Sequence, residues 1–330
     1  MSVSMLYRRC APALALVAGL AGCSGQQVTP SAFVPTAPSD AGLTQPAGGI
    51  RIFSANRDNG SVLAFHAIAS GNVAPVDTIA GSNTRLSDPD ALALDASGNI
   101  YAANDGGKQV AVFASTANGN VKPTGMIGGS KSHLGPTEGI FIDPSGHLWA
   151  TNYSGNAIAE YAAGARGNVM PITTIGGNKT QLSTPLGMAM DASGRLFVAN
   201  EGSSSILAFA GGNGNFAPVV SIGGSNTGLI SPFAIAFDSN GRLLVADESV
   251  GVLVFAKGAN GNVTPVAKII GFSYAAGVVA DAQNHIYVAD FSGNSIKEFA
   301  GNANGHATPI RTIYGSKTTL NGANYLALHP

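Results

Sequence analysis

From Ile50 to its end the chain repeats itself about every 47 residues, and this periodicity narrows the possible folds more than anything else in it. An apolar run ending in Asp before a tight turn recurs at Asp95, Asp143, Asp191, Asp238 and Asp281, at steps of 48, 48, 47 and 43 residues. A second run ends in Asn or Asp at Asn56, Asn104, Asn152, Asn200, Asp247 and Asp290. A third carries an aromatic at Phe65, Phe113, Tyr161, Phe209, Phe255 and Phe299. A fourth motif, Gly-Asn-Val-x-Pro or a close variant, begins at Gly71, Gly119, Gly167, Gly214, Gly261 and Gly305.

Each unit therefore supplies four short strands. In the second unit these are predicted at Ala91 to Leu94, Ile100 to Ala103, Val110 to Ala114 and about Lys122 to Ile127. The first three are nearly continuous apolar runs, as expected of strands buried on both faces. Asn-Gly pairs such as Asn118-Gly119 and Asn213-Gly214 predict a tight hairpin between the third and fourth strands. Pro75, Pro123, Pro171, Pro218, Pro265 and Pro309 fall at the start of the fourth strand. Proline lacks the ladder N–H, which puts that strand on an outer edge. Alanine dominates the inner strands and aromatics the third, the size gradient of sheets that diverge from an axis.

The ends set the count at six. The repeat is entered at Ile50, where a second strand begins, so the first unit lacks its inner strand. The chain finishes on Tyr325-Leu326-Ala327-Leu328, an inner strand with no unit after it, and His329 takes the place of the strand-ending Asp. The last strand is predicted to complete the first unit, closing an all-β, six-bladed β-propeller with four-stranded blades around an axial pore.

Residues 1–22 read as an export signal: Arg8 and Arg9 are a basic start, and Ala11 to Gly19 an apolar core. Leu20-Ala21-Gly22-Cys23 resembles the lipobox of bacterial lipoproteins. That resemblance implies lipidation of Cys23 and a place in the bacterial cell envelope, on the periplasmic or cell-surface side, with the membrane as partner through the N-terminal lipid. An ordinary export signal and a buried apolar helix are the alternatives. Residues 23–48 are a Pro-, Ala-, Ser- and Gly-rich tether, and 49–330 the propeller. Cys10 leaves with the leader and Cys23 takes the lipid, which excludes a disulfide in the mature domain. Losing Arg8 and Arg9 takes the formal charge from −1 to −3, which gives nucleic acid no electrostatic footprint. A monomer is expected.

The repeat resembles NHL-repeat propellers in Leu186-Gly187-Met188-Ala189-Met190-Asp191 with Gly194-Arg195-Leu196-Phe197-Val198-Ala199-Asn200, and in Asp281 with His285-Ile286-Tyr287-Val288-Ala289-Asp290. The resemblance covers about residues 49–330 and implies a fold, not an activity, because such propellers serve binding and catalysis alike.

In a propeller the second strands end, and the first strands start, around one mouth of the channel. The candidate binding residues are therefore Asn56, Asn104, Asn152, Asn200, Asp247 and Asp290, with the first-strand starts Asp90, Glu138 and Asn324. Leu186, Phe233 and Ala276 make the opposite half of that second ring apolar. Strand-ending Asn and Asp also satisfy turn backbone by themselves. Asp90 and Glu138 stand apart because they do not follow the repeat.

Glu138-Gly139 resembles the Glu-Gly of gluconolactonase-like propellers, although the proline that usually follows is missing. This likeness implies calcium or another divalent metal held by Glu138, Asp247 and Asp290, and a metal-dependent lactonase as the alternative function. No catalytic residue is otherwise evident. Gly177-Asn178-Lys179-Thr180 and Gly315-Ser316-Lys317-Thr318 lack the earlier glycine of a phosphate loop and read as turns; Gly212 and Gly214 sit in a hairpin. His147 and His285 fill a turn slot held elsewhere by Asn99, Arg195 and Arg242, while His66, His133 and His306 lack ligand spacing. Trp149 reads as core, and no Gly-x-Ser-x-Gly elbow occurs. The leading expectation is a binding or scaffolding module for a protein or small-molecule ligand.

Overall fold

The computed structural model describes residues 49–329; the leader, Cys23 and the tether lie outside the described residues. Six four-stranded antiparallel sheets form the blades of a propeller. Blade 1 is ordered with Ala323–His329 innermost, then Arg51–Asn56, Ser61–His66 and Asp77–Ile79. Ser54 lies opposite Leu326 and Phe53 opposite Ala327, so the first and last strands of the propeller share one sheet as expected. The other inner strands are Pro89–Leu94, Ile140–Ile142, Pro185–Met190, Pro232–Phe237 and Ala275–Ala280, in blades 2 to 6. No helix among the described residues is long and apolar enough to cross a membrane.

The side-chain gradient has the anticipated cause. Ala55, Ala103, Ala199, Ala246 and Ala289 are fully buried near the second-strand ends, where the sheets converge. Phe65, Phe113, Tyr161, Phe209 and Phe255 fill the wider space farther out and are buried as completely. Fully burying such side chains in place of water contributes roughly 1.5–3 kcal/mol each, and it is this packing, repeated blade after blade, that holds a domain without disulfides.

Two expectations about the outer strand are corrected. In blade 2 the fourth strand is Gly125–Gly128, so Pro123 precedes it rather than starting it. The Asn-Gly pairs do not make two-residue hairpins either, because Phe113 and Gly125 are joined by a long connection. The glycine that opens each Gly-Asn-Val-x-Pro motif or variant instead fastens one blade to the blade before it. Gly119 bridges Ile79 in parallel, Gly167 bridges Ile127, and the series continues round to Gly71 with Ile313. The Asn118 side-chain oxygen accepts the Thr78 N–H at 3.0 Å, and Asn120 accepts that of Asn83 at 2.7 Å. Asn72 closes the series by accepting from Lys317 at 2.7 Å. Backbone that a hairpin would satisfy internally is satisfied here across the blade junction.

The repeated Asp makes a turn in every blade that has it. Asp95 Oδ1 accepts the N–H groups of Ser97 and Asn99, both at 2.9 Å, and Asp143, Asp191, Asp238 and Asp281 do the same. Asn99, Arg195, Arg242 and His285 each bind the second oxygen of their Asp, and His147 lies 3.4 Å from that of Asp143. The His147 and His285 turn slots are therefore as read from the sequence.

Candidate functional site

The inner strands carry bulges near the mouth. In blade 2 the register shifts between Pro89 and Ala91, at Asp90; in blade 1 it shifts between Ala323 and Leu326, the stretch that holds Asn324 and Tyr325. A bulge inserts an unpaired residue and re-aims its side chain. Asp90 and Asn324 consequently meet: Asn324 Nδ2 donates to Asp90 Oδ1 at 3.0 Å and to the Asp90 carbonyl at 3.1 Å. Arg57 Nε lies 3.2 Å from the same carboxylate oxygen.

The strand-ending ring occupies itself with backbone. Asn104 Oδ1 accepts the Ser87 N–H at 2.7 Å, and Nδ2 donates to the Arg85 carbonyl. Asn200 repeats this with Ser183 and Gln181, and Asn152 donates to the His133 carbonyl. Asp247 accepts from Ile230 and Ser231, Asp290 from Ser273 and Tyr274, and Asn56 from Asn321. Each ties the loop leading into its own blade. Asp247 and Asp290, which the lactonase likeness implies together with Glu138, thus hold loop N–H groups in blades 5 and 6.

The next residue in each blade breaks the repeat. These residues are Arg57, Asp105, Tyr153, Glu201, Glu248 and Phe291, all half-buried. Their N–H groups are held alike, Asp105 by the Asp88 carbonyl at 3.2 Å and Glu248 by that of Ser231 at 3.1 Å. Reading the strand ends alone missed Arg57, Asp105 and Tyr153 by one position. The departure from the repeat that singled out Asp90 and Glu138 was the signal for them as well.

Asp90, Asp105 and Glu138 come together, one oxygen of each within 4.8 Å of the others. Burial pushes the Asp90 carboxyl well above its usual range; Arg57 opposes this and Glu138 adds to it. Burial also raises Asp105, with Arg57 again opposing. Burial alone would lower Arg57, but Asp90 and the neighbouring carboxylates outweigh it and hold the guanidinium above its ordinary value. Tyr153 is pushed up to about 12, by burial first and then by Asp105 and Glu138. Asp90 Oδ2, Asp105 Oδ1 and Asn324 Oδ1 are buried acceptors without a donor. A buried acceptor left unmet costs about 1–3 kcal/mol.

The pore expected along the axis is crossed at this level. Tyr325, from the closing strand of blade 1, donates from its hydroxyl to the Phe233 carbonyl of blade 5 at 3.4 Å. Its ring lies 5.4 Å from that of Phe233. Gly187 of blade 4 leaves room for it, since a Cβ there would stand 2.5 Å from the Tyr325 hydroxyl. Beside Tyr325 the mouth carries an acidic cup: Asp90 and Asp105 of blade 2 and Glu138 of blade 3, with Arg57 and Asn324 of blade 1.

A second group, Asp143, His147 and Glu160, lies in the turn slot of blade 3. Its counterpart in blade 6 joins Asp281, His285 and Glu298, which Arg311 neutralises at 2.7 Å.

Residues 272–299 match the family model of the NHL repeat. No curated protein matches the sequence. Among solved structures, the chain is similar to a protein of unknown function from Bacteroides caccae, at 12% identity and a TM-score of 0.60, over 85% of this chain and 98% of that one. It is similar to a candidate 6-phosphogluconolactonase from Bacteroides fragilis, at 13% identity and a TM-score of 0.59, over 86% and 99%. A chain of a nidogen/laminin complex aligns at 14% identity and a TM-score of 0.58, over 85% and 98%. At these identities the likeness is one of fold. The chain is a six-bladed β-propeller that carries an NHL repeat in its sixth blade.

Proposed function

We propose that this chain is a lipid-anchored, extracytoplasmic binding module whose ligand sits in the acidic cup at the channel mouth, over blades 1 to 3. One observation carries the reading: Asp90 Oδ2, Asp105 Oδ1 and Asn324 Oδ1 are buried acceptors with no donor, gathered where the blades converge. Acceptors without donors are completed by a cation, or by a small molecule rich in N–H and O–H groups. The cup lacks a nucleophile held by a base and an orienting group, so binding is favoured over turnover. The leader and Cys23 support placement at the envelope.

The test is thermal unfolding of the wild-type protein and of Asp105→Asn against a panel of sugars, amines and lactones. Compounds that raise the melting temperature of the wild type and not of the variant support the reading. No shift with any compound, or equal shifts in both proteins, overturns it. Lactone turnover that disappears in Glu138→Gln would replace it with a hydrolase.

A further inference from the structure

We infer that a basic groove at the junction of blades 2 and 3 binds the phosphate group of a phosphate monoester. The groove lies along the outer strand of blade 2, Gly125–Gly128, and is a cleft of about 340 Å³ lined by Arg85, Lys122, Met126 and Arg166. The acidic cup is built on first and second strands and their entry loops, so the two sites are tested separately.

Of the seven arginines in the propeller, five hold a carboxylate: Arg51 with Asp77, Arg57 with Asp90, Arg195 with Asp191, Arg242 with Asp238 and Arg311 with Glu298. The other two are Arg85 and Arg166, and both line this groove with Lys122. Among the described residues none of these three cations meets a carboxylate. Like charges gathered on one wall repel one another unless an anion answers them.

The backbone gives a second, independent observation. At four blade junctions an Asn side chain caps an outer-strand N–H: Asn118 accepts from Thr78, Asn213 from Thr174, Asn260 from Ser221 and Asn304 from Lys268, at 2.9 to 3.0 Å. At the blade 2–3 junction that place is held by Arg166, and the N–H it would cap is that of Met126. The Met126 carbonyl accepts from Gly167 at 2.6 Å, as that of Thr78 does from Gly119, so the Met126 backbone faces its junction in the same way. A guanidinium has donors only. Arg166 cannot accept from Met126, and the groove gains a backbone donor where the other junctions have a closed pair.

The cations are also held in place. Arg166 Nη1 donates to the Ala165 carbonyl at 2.7 Å, and its guanidinium carbon lies 5.5 Å from the centre of the Tyr101 ring. Gly125 makes this possible, because a Cβ there would overlap Cδ and Nε of Arg166; the other blades carry Asp77, Thr173, Val220, Ala267 and Arg311 at that position. Arg85 Nη1 lies 3.6 Å from Met126 Sδ, over the same strand. Donors converging from several directions suit a tetrahedral oxyanion better than a planar carboxylate, and a phosphate monoester brings a charge of about −1.5 to −2 at pH 7. The cleft leaves room for the organic part of the ester beside Met126 and Pro123.

The test is isothermal calorimetry on full-length protein in detergent, with phenyl phosphate as the probe and benzoate as its carboxylate control. One phenyl phosphate is expected per chain, with benzoate at least ~10-fold weaker. Arg166→Asn restores the residue of the repeat, so it should keep or raise the melting temperature while weakening phenyl phosphate at least ~10-fold. Arg85→Gln should weaken it as much at an unchanged melting temperature, and Lys268→Gln, on the outer strand of blade 5, should leave it as in the wild type. Phosphatidic acid added to the micelles separates the sources of the phosphate: competition with the probe assigns a lipid headgroup, and no competition a soluble ester. Absence of phenyl phosphate binding overturns the inference. So does benzoate binding as tightly, or binding that survives Arg166→Asn and Arg85→Gln combined.

Discussion

Asn324 Nδ2 lies 3.0 Å from Asp90 Oδ1, a hydrogen bond spanning 234 residues of sequence. It joins the last strand of the chain to the first strand of blade 2, so closing the ring and shaping the cup are one event. The closing strand also brings Tyr325 to the axis. Whatever loosens this strand should disturb the acidic cup before it disturbs the outer blades.

Asn324→Ala removes both bonds to Asp90 and leaves a buried carboxyl paired with Arg57. A destabilisation of about 1–3 kcal/mol is expected, read from urea unfolding. Asn324→Asp should be worse, because it sets a second carboxylate against Asp90.

Tyr325 fills the axis with its ring more than with its hydroxyl. Tyr325→Ala should cost roughly 3–5 kcal/mol through the cavity it leaves. Tyr325→Phe loses a long bond to the Phe233 carbonyl and should cost no more than ~1 kcal/mol. Equal losses in the two variants would show that the ring is not what holds the centre together.

Gly177 has φ of +105°, and a Cβ there would stand 2.6 Å from Asn215 Cγ, the side chain that staples the blade 3–4 junction. Gly177→Ala should destabilise by ~1–3 kcal/mol from backbone strain alone, with the clash added. The double variant with Asn215→Ala should recover the clash and keep the strain, a difference that chemical denaturation resolves.

Asp247 stands where four blades carry Asn, and burial raises its carboxyl above the ordinary value although Ile230, Ser231 and Ser249 donate to it. A raised folded-state pKa means the unfolded chain ionises more readily. Stability from this group is therefore greatest below the unfolded value and falls as pH rises through the folded one. Asp247→Asn, with an amide able to reach the Gly228 carbonyl as Asn200 reaches that of Gln181, should flatten that decline. Melting curves from pH 4 to 8 (about the range where shifted carboxyls titrate) give the comparison.

Cys23→Ser should abolish incorporation of labelled palmitate in a bacterial host and release the propeller from membranes. Retained labelling or membrane attachment would refute the lipid anchor.

Blade number, closure and the order of strands were legible in the sequence because they follow from local and repeated chemistry. Asp95 builds the same turn as Asp191, and Phe113 fills the same wedge as Phe209, so one unit read correctly is read six times. The Gly-Asn motif was seen but misassigned. Its partners Thr78 and Asn83 belong to the preceding blade, and a motif within one unit does not announce contacts made to the next.

The cup needed the tertiary structure for a related reason. Asp90, Asp105, Glu138, Arg57 and Asn324 come from three blades and from both ends of the propeller, and bulges at Asp90 and Asn324 bring those two side chains together. Periodicity places a residue on a strand and a face. Whether its oxygen finds a donor there depends on through-space neighbours, which only the closed ring sets.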